Sequence, residues 1–187
     1  MQFVSQNLLG LKLNEVEVNE ASEQPLSIHN IYISLGSNIA PVENLPRAFS
    51  LLRKYVAVEL VSGVWETPPA DSEGPNYLNA VALIHTDLAL LQLKHQVLRP
   101  IEADLGRVRT ADKNTPRPID LDIILVDGKI IDPIVWTRAF VVIPLAEISG
   151  DILNPETGET IADVAMRLMF DAEIKVRPDV ELKTYEI

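Results

Sequence analysis

An α+β sandwich, with helices packed on one side of an antiparallel sheet, is the fold class this sequence predicts. Three observations carry it. Apolar residues switch between a period of 2 and a period near 3.6 in the order β-α-β-β-α-β. At 187 residues and 47% hydrophobic content, the chain is long enough for one domain with a full core. Asp127-Gly128 joins two apolar runs, the sequence signature of a tight β-hairpin. Together these describe a ferredoxin-like α/β sandwich.

The elements follow in order. Residues 1–29 read as an N-terminal appendage: Leu11-Lys-Leu13 and Val16-Glu-Val18 alternate like short strands, and Asn19 to Gln24 is a polar linker. The main unit, residues 30–170, opens on a strand with Ile31, Ile33 and Leu35 on one face. Gly36-Ser37-Asn38 reads as a turn. A helix from Pro41 to Tyr55 follows, with Pro41 or Pro46 tolerated in its first turns. Residues 56–66 read as one long strand bent at Gly63, and Pro68 to Asn76 as a loop.

Tyr77 to Ile84 is a strand with Tyr77, Asn79, Val81 and Leu83 on one face. Asp87 is placed to cap a helix that runs to about Leu105 and is closed by Gly106. Its expected apolar stripe is Leu91, Leu98, Ile101 and Leu105, with a kink or split at Pro100. In the next strand Ile119, Leu121, Ile123 and Leu125 form one face, and Asp120, Asp122, Ile124 and Val126 the other. The Asp127-Gly128 turn leads into Lys129-Ile130-Ile131. Phe140 to Ile143 reads as a strand and Ile161 to Phe170 as an amphipathic helix. Residues 171–187 form a charged C-terminal tail with some strand character.

Composition narrows the chemistry. A net charge of -11 argues against a nucleic-acid partner, which calls for a broad basic surface. The chain has no cysteine, and its three histidines are scattered, so thiolate sites and a histidine-rich zinc site are not expected. No apolar run approaches a membrane span, and no signal peptide is apparent at the start. The expected location is the cytoplasm.

Against this acidic background, residues 107–117 carry four basic side chains (Arg107, Arg109, Lys113, Arg117) and one acid, Asp112. Asp120 and Asp122 come just after, at i and i+2 on one strand face. Paired carboxylates on a rigid face bind hard cations such as Mg²⁺. Arginines beside them bind phosphate oxygens. Metal, cations and carboxylates together describe phosphoryl or pyrophosphoryl transfer from a nucleotide.

Further segments join this stretch in a fixed order: Tyr32-Ile-Ser-Leu-Gly-Ser-Asn38, Glu66-Thr-Pro-Pro69, Gly74-Pro-Asn-Tyr-Leu-Asn-Ala-Val81, Ile101-Glu-Ala-Asp-Leu-Gly-Arg107, Pro116-Arg-Pro-Ile-Asp-Leu-Asp-Ile-Ile-Leu125 and Arg138-Ala-Phe-Val-Val-Ile-Pro-Leu145. With them, the chain from about Ile31 to Leu168 resembles the 6-hydroxymethyl-7,8-dihydropterin pyrophosphokinases of folate biosynthesis. The resemblance implies an ATP-dependent diphosphokinase that moves the β,γ-pyrophosphoryl group of ATP onto the pterin hydroxymethyl oxygen and leaves AMP. It implies that Asp120 and Asp122 hold two Mg²⁺ ions and that Arg107 and Arg117 grip phosphates. Arg109, Glu102 and Arg138 are counted with the nucleotide contacts. Tyr77 and Phe140 would stack on the pterin, and Asn79, Thr67, Pro69 and Ala70 would contact its edge.

Two departures from the family pattern stand out. Asn114 replaces a common aromatic in the loop over ATP. Asp132-Pro133 stands where a phosphate-contacting histidine is common, and an aspartate there would repel the triphosphate. Asp132 is the sole support for one competing reading, a non-catalytic descendant that binds pterin or nucleotide. A two-metal nucleotidyltransferase or cyclase is another, and an Asp-x-Asp nucleotide-sugar transferase a third. The appendage is expected to supply an edge strand or a subunit contact, with a homodimer as one option.

Overall fold

The strand expected at Ile31–Leu35 becomes the centre of the sheet. The computed structural model describes residues 27–70, 74–109, 115–171 and 173–182; the alternating segments at 11–13 and 16–18 lie outside the described residues. β1 (His29–Ser37) pairs antiparallel with β4 (Tyr77–Thr86) on one side and with β5 (Asp120–Val126) on the other. β6 (Lys129–Ile130) lies beyond β5, while β3 (Trp65–Thr67) and then β7 (Lys175–Val176) lie beyond β4. β2 (Ala57–Val61) also pairs with β4, and every pairing is antiparallel, as expected. Gly36 and Ser37 belong to the end of β1 and not to a turn, because β4 pairs as far as Ser37 and β5 as far as Gly36.

Ile31, Ile33 and Leu35 are fully buried against α1 (Pro41–Tyr55) through Leu45, Ala48, Phe49 and Leu52. The helix has the bounds its sequence predicts. Pro41 occupies the first turn, where a missing N–H costs nothing, and Arg53 and Lys54 complement the dipole in the last. The second helical stretch runs through α2 (Leu90–Gln92), a π-helical segment Leu93–Leu98 and α3 (Arg99–Asp104). Pro100 therefore does not break it. Proline has no N–H and crowds the preceding turn, and the wider π turn, with Arg99 N–H bonded to the Lys94 carbonyl, absorbs the mismatch. That turn also shifts the buried face to Leu93, Val97, Leu98, Ile101 and Leu105, leaving Leu91 exposed. Asp87 is not the cap: the Ala89 N–H donates to Gln92 Oε1 at 3.1 Å, and Leu88 N–H to Thr86 Oγ1 at 3.1 Å. Gly106 closes the helix in the left-handed region (φ 86°), as expected.

Helices cover both faces of the sheet, not one. α4 (Ala139–Ser149) and α5 (Ile161–Asp171) pack on the face opposite α1. The expected strand Phe140–Ile143 is thus the first part of α4. Its β-branched run has strand propensity, but burial decides. Val141 and Leu145 pack on the sheet residues Val81, Ile124 and Leu125, while Val142 and Ile143 pack on Val164 and Ala165 of α5. A strand buries one face against each layer only as part of a sheet; here both layers are already in place around a helix.

Two further differences have local causes. The expected 56–66 strand divides at Ser62–Val64, where the Gly63 N–H donates to Glu147 Oε2 of α4 at 2.6 Å and Ser62 Oγ accepts from Val81 N–H at 2.9 Å. In β5, Ile123 faces Ile33 and Leu125 faces Tyr32, so Ile124 is an extra, bulged residue. The bulge sends Ile124 and Leu125 to the α4/α5 core and returns Val126 to the α1 side, the reverse of simple alternation for Leu125 and Val126. The Asp127-Gly128 hairpin is as expected, with φ of 48° and 76° fitting a type I′ turn.

Candidate functional site

The site grows from strand register. Across β5, β1 and β4, Asp120 lies beside Gly36, which lies beside Asn79; Asp122 lies beside Ser34, which lies beside Val81. Residues in one such row share a sheet face. Farther along this face α4 and α5 cover Val81, Ile124 and Leu125. At the Asp120 end the central strand offers only Gly36 and Ser34, so a cleft of about 230 Å³ opens. Thr67, Pro69, Ala70, Tyr77, Asn79 and Phe140 all line it, together with Arg117, Asp120 and Asp122. Six residues expected around a flat heterocycle are therefore brought together with both aspartates. Arg138, grouped by sequence with the nucleotide contacts, is in this cleft as well.

Within the cleft Asn79 is 3% exposed, and its Nδ2 donates to Thr67 Oγ1 at 3.0 Å. That fixes the amide plane. A Cβ placed on Gly36 would stand 3.1 Å from Asn79 Oδ1. Glycine here is what gives the amide its room. Sequence alone reads Gly36-Ser37-Asn38 as a plain turn and misses this; the signal available is a glycine and two small polar residues ending a central strand.

A second cavity of about 530 Å³ lies on the other side of the aspartates, lined by Arg107, Arg109 and Arg117 with Asp120 and Asp122. Its charge is organised around one buried carboxylate. Glu102, 2% exposed, accepts from the Leu121 N–H at 3.0 Å, from Arg107, and from Arg109 at 2.5 Å. Glu102 thus faces the arginines and not open space. Arg107 also bonds Asp120 Oδ1, and Arg117 bonds Asp120 Oδ2. Asn38 anchors the basic loop: its Oδ1 accepts from Arg117 N–H at 2.7 Å, and Ser37 Oγ donates to the Pro118 carbonyl at 2.6 Å. Lys113 and Asn114 lie outside the described residues.

The two aspartates differ. Asp120 is held by two arginines. Among the described residues, no hydrogen bond or ion pair reaches the Asp122 carboxylate, which opens to solvent. Although exposed along its edge, it is desolvated by the surrounding cleft; that effect first, and then the charges of Asp120 and Glu102, push its carboxyl up to about 6. Surface exposure decides whether a cation can reach it, and the desolvation decides how readily it gives up its proton. Asp122 also lines a third cavity of about 430 Å³, walled by Leu90, Leu91, Leu98 and Ile131, with Lys94 and Asp132 at hand.

The donor set suits Mg²⁺, which takes one or two carboxylates and completes its shell with water and substrate phosphates. Among the described residues no group of three or more His, Cys, Asp or Glu could hold a metal by itself. Each Asp120 oxygen keeps a lone pair beyond its arginine bond. Asp132, the sharpest departure in the sequence, plays a structural part. Its Oδ1 accepts from Ile134 N–H at 3.1 Å and caps the 3-10 turn Pro133–Trp136.

Comparison with known proteins gives a consistent picture. Residues 32–150 match the family model described as 7,8-dihydro-6-hydroxymethylpterin-pyrophosphokinase (HPPK). The 2-amino-4-hydroxy-6-hydroxymethyldihydropteridine pyrophosphokinase of Haemophilus influenzae is 35% identical over 159 residues, which span 79% of this chain and 98% of that protein. The protein of the same name from Synechocystis is 31% identical, over 84% of this chain and 86% of its own length. The folic acid synthesis protein fol1 of Pneumocystis carinii is 37% identical over 82% of this chain; this chain spans 22% of its length. In structure, the wild-type Plasmodium falciparum HPPK-DHPS solved with pteroate superposes with a TM-score of 0.62 at 12% identity, covering 76% of this chain and 44% of that one. That likeness bears on the fold.

Proposed function

This chain belongs to the 7,8-dihydro-6-hydroxymethylpterin-pyrophosphokinase family, and on that premise we propose that it transfers pyrophosphate from ATP to the hydroxymethyl group of 6-hydroxymethyl-7,8-dihydropterin. One observation carries the reading: Asp122 lines all three cavities, and Asp120 two of them. A flat heterocycle, a polyphosphate and a nucleoside could therefore meet at one carboxylate pair.

Each cavity fits one part. The cleft with Tyr77 and Phe140 offers aromatic faces to a pterin, and offset stacking of this kind adds roughly 0.5–1.5 kcal/mol beyond area burial. Asn79 presents its amide oxygen to the heterocycle edge, since its nitrogen is engaged by Thr67. The basic cavity fits the phosphates. The third cavity, with leucine and isoleucine walls, fits a purine.

In the reaction, the pterin hydroxymethyl oxygen forms a bond to the β-phosphorus. The bond from that phosphorus to the α,β-bridging oxygen breaks, AMP departs, and the hydroxyl proton passes to solvent. Mg²⁺ held by Asp120 and Asp122 would neutralise the charge on the phosphates and lower the pKa of the attacking hydroxyl. Without nucleotide, Asp120 keeps Arg107 and Arg117 aimed at the junction. Phosphate oxygens would then take over those guanidinium donors, with Glu102 still fixing Arg107 and Arg109 from behind. Arg138, at the cleft wall, would meet the transferred group on the pterin side.

Incubation with Mg²⁺, ATP and 6-hydroxymethyl-7,8-dihydropterin tests the reading. AMP and the pterin diphosphate should form in equal amounts. Release of ADP, or no turnover at high protein concentration, refutes it.

A further inference from the structure

The C-terminal segment, residues 173–182, lies beyond the residues that match the family model. It nonetheless pairs with β3, the strand that carries Thr67 into the heterocycle cleft. β7 adds to β3 with Trp65 opposite Val176 and Glu66 opposite Lys175, and the Arg177 N–H donates to the Val64 carbonyl at 2.8 Å. Val180, 5% exposed, anchors the segment in the main core.

One side chain of this segment bridges, behind the cleft, two stretches of chain that carry cleft residues. Arg177 Nη1 donates to Glu66 Oε2 at 2.7 Å, and its other donors, Nε and Nη2, are held by Asp179 at 2.9 and 2.8 Å. The other oxygen of Glu66 accepts from Asn76 Nδ2 at 2.9 Å. Asn76 immediately precedes Tyr77, and Glu66 immediately precedes Thr67; both of those neighbours line the cleft. Arg177 and Glu66 are each about one-quarter exposed, so their pairing is shielded in part from water and salt. Consistent with this, first the Asn76 amide and then Arg177 hold the Glu66 carboxyl below its ordinary range.

We propose that Arg177 is a positioning residue for the heterocycle: through Glu66 it ties the strand bearing Thr67 to the segment bearing Asn76 and Tyr77, and so sets the width of the cleft. The linkage runs Asp179–Arg177–Glu66–Asn76, and no member of it touches the basic cavity. The effect is thus confined to one half of the site. Its kinetic consequence rests on the pyrophosphokinase reading; its structural consequence does not.

Arg177→Met, which keeps the apolar stem and removes the fork, is the test. The Michaelis constant for 6-hydroxymethyl-7,8-dihydropterin should rise about tenfold, the scale of one lost hydrogen bond between charged groups. That for ATP should stay within about twofold of wild type, by the locality of the contacts. Arg177→Lys should recover part of the loss, and adding Glu66→Gln to Arg177→Met should cost little more, because both break one link. Amide exchange of residues 74–78 should quicken in Arg177→Met with no ligand present. An unchanged pterin constant in a folded variant overturns the proposal, as does an equal rise for ATP, which would mean general loosening. If the wild type shows neither turnover nor pterin binding, the functional reading has failed; unchanged exchange at 74–78 then refutes the positioning role on its own.

Discussion

Replacing Gly36 by alanine separates the demands of the fold from those of the site. Gly36 lies in regular β1, paired on both sides, with no positive φ. Alanine is therefore compatible with its backbone. Relative to glycine in a strand interior, its backbone contribution favours the fold by roughly 0.5–1 kcal/mol, through lower unfolded-state entropy. The new methyl group, however, would stand 3.1 Å from Asn79 Oδ1 and 4.0 Å from Tyr77 Cδ1. Asn79 is buried and tied to Thr67, so its amide must tilt or lose that bond. Losing one well-formed hydrogen bond to the heterocycle costs about 1–2 kcal/mol, which is about a 5- to 30-fold rise in the pterin dissociation constant. Gly36 does not line the basic cavity, so nucleotide affinity should hold. Urea unfolding gives the first quantity, and fluorescence titration with pterin and with ATP gives the others. Unchanged pterin affinity would show that Asn79 does not read the heterocycle. A fold weakened by more than about 1 kcal/mol would show that Asn79 gives up its bond to Thr67 instead of tilting.

Other perturbations probe the charged half. Asp120→Asn and Asp122→Asn should each abolish turnover while pterin binding survives in part; near-normal turnover in either would exclude it as a metal ligand. Because the Asp122 carboxyl is pushed up to about 6, Mg²⁺ uptake in the presence of nucleotide should displace from it about half a proton at pH 6 and almost none at pH 8, and calorimetry in buffers of differing ionisation heat reads this. The same raised value means Asp122 favours folding most below its ordinary pKa of about 3.9 and loses that contribution as pH rises through 6, opposite in sign to a paired carboxylate. Glu102→Gln takes the buried charge away from two arginines, of which Arg107 keeps Asp120 and Arg109 is half exposed, and should cost about 1–2 kcal/mol in stability, as well as turnover; a loss of turnover with stability intact would place Glu102 against the ligand itself. Deleting residues 1–29 should change stability or assembly and spare the single-turnover rate, and a large fall in that rate for a folded deletion would refute the view of this segment as an accessory.

Much of this molecule is legible in its sequence because the signals are local. Alternation in Ile31, Ile33 and Leu35, the proline and basic residues bounding α1, the Asp-Gly hairpin and the stripe of α5 each depend on neighbours a few positions away. The paired aspartates and the arginines before them are legible for the same reason: period 2 puts Asp120 and Asp122 on one face whatever the rest of the fold does. What tertiary structure decided is everything that depends on which surface meets which. Val141-Val142-Ile143 becomes helical because two apolar layers already flank it. The faces of Leu125 and Val126 exchange because a bulge at Ile124 is set by pairing with β1. Glu102 is the buried anchor of Arg107 and Arg109, and Asp132 a helix cap, because their partners are brought near only by folding. The cleft itself is a tertiary fact: Gly36 and Ser34, two small residues on the central strand, leave open the one stretch of sheet where Asp120, Asp122 and Asn79 stand side by side.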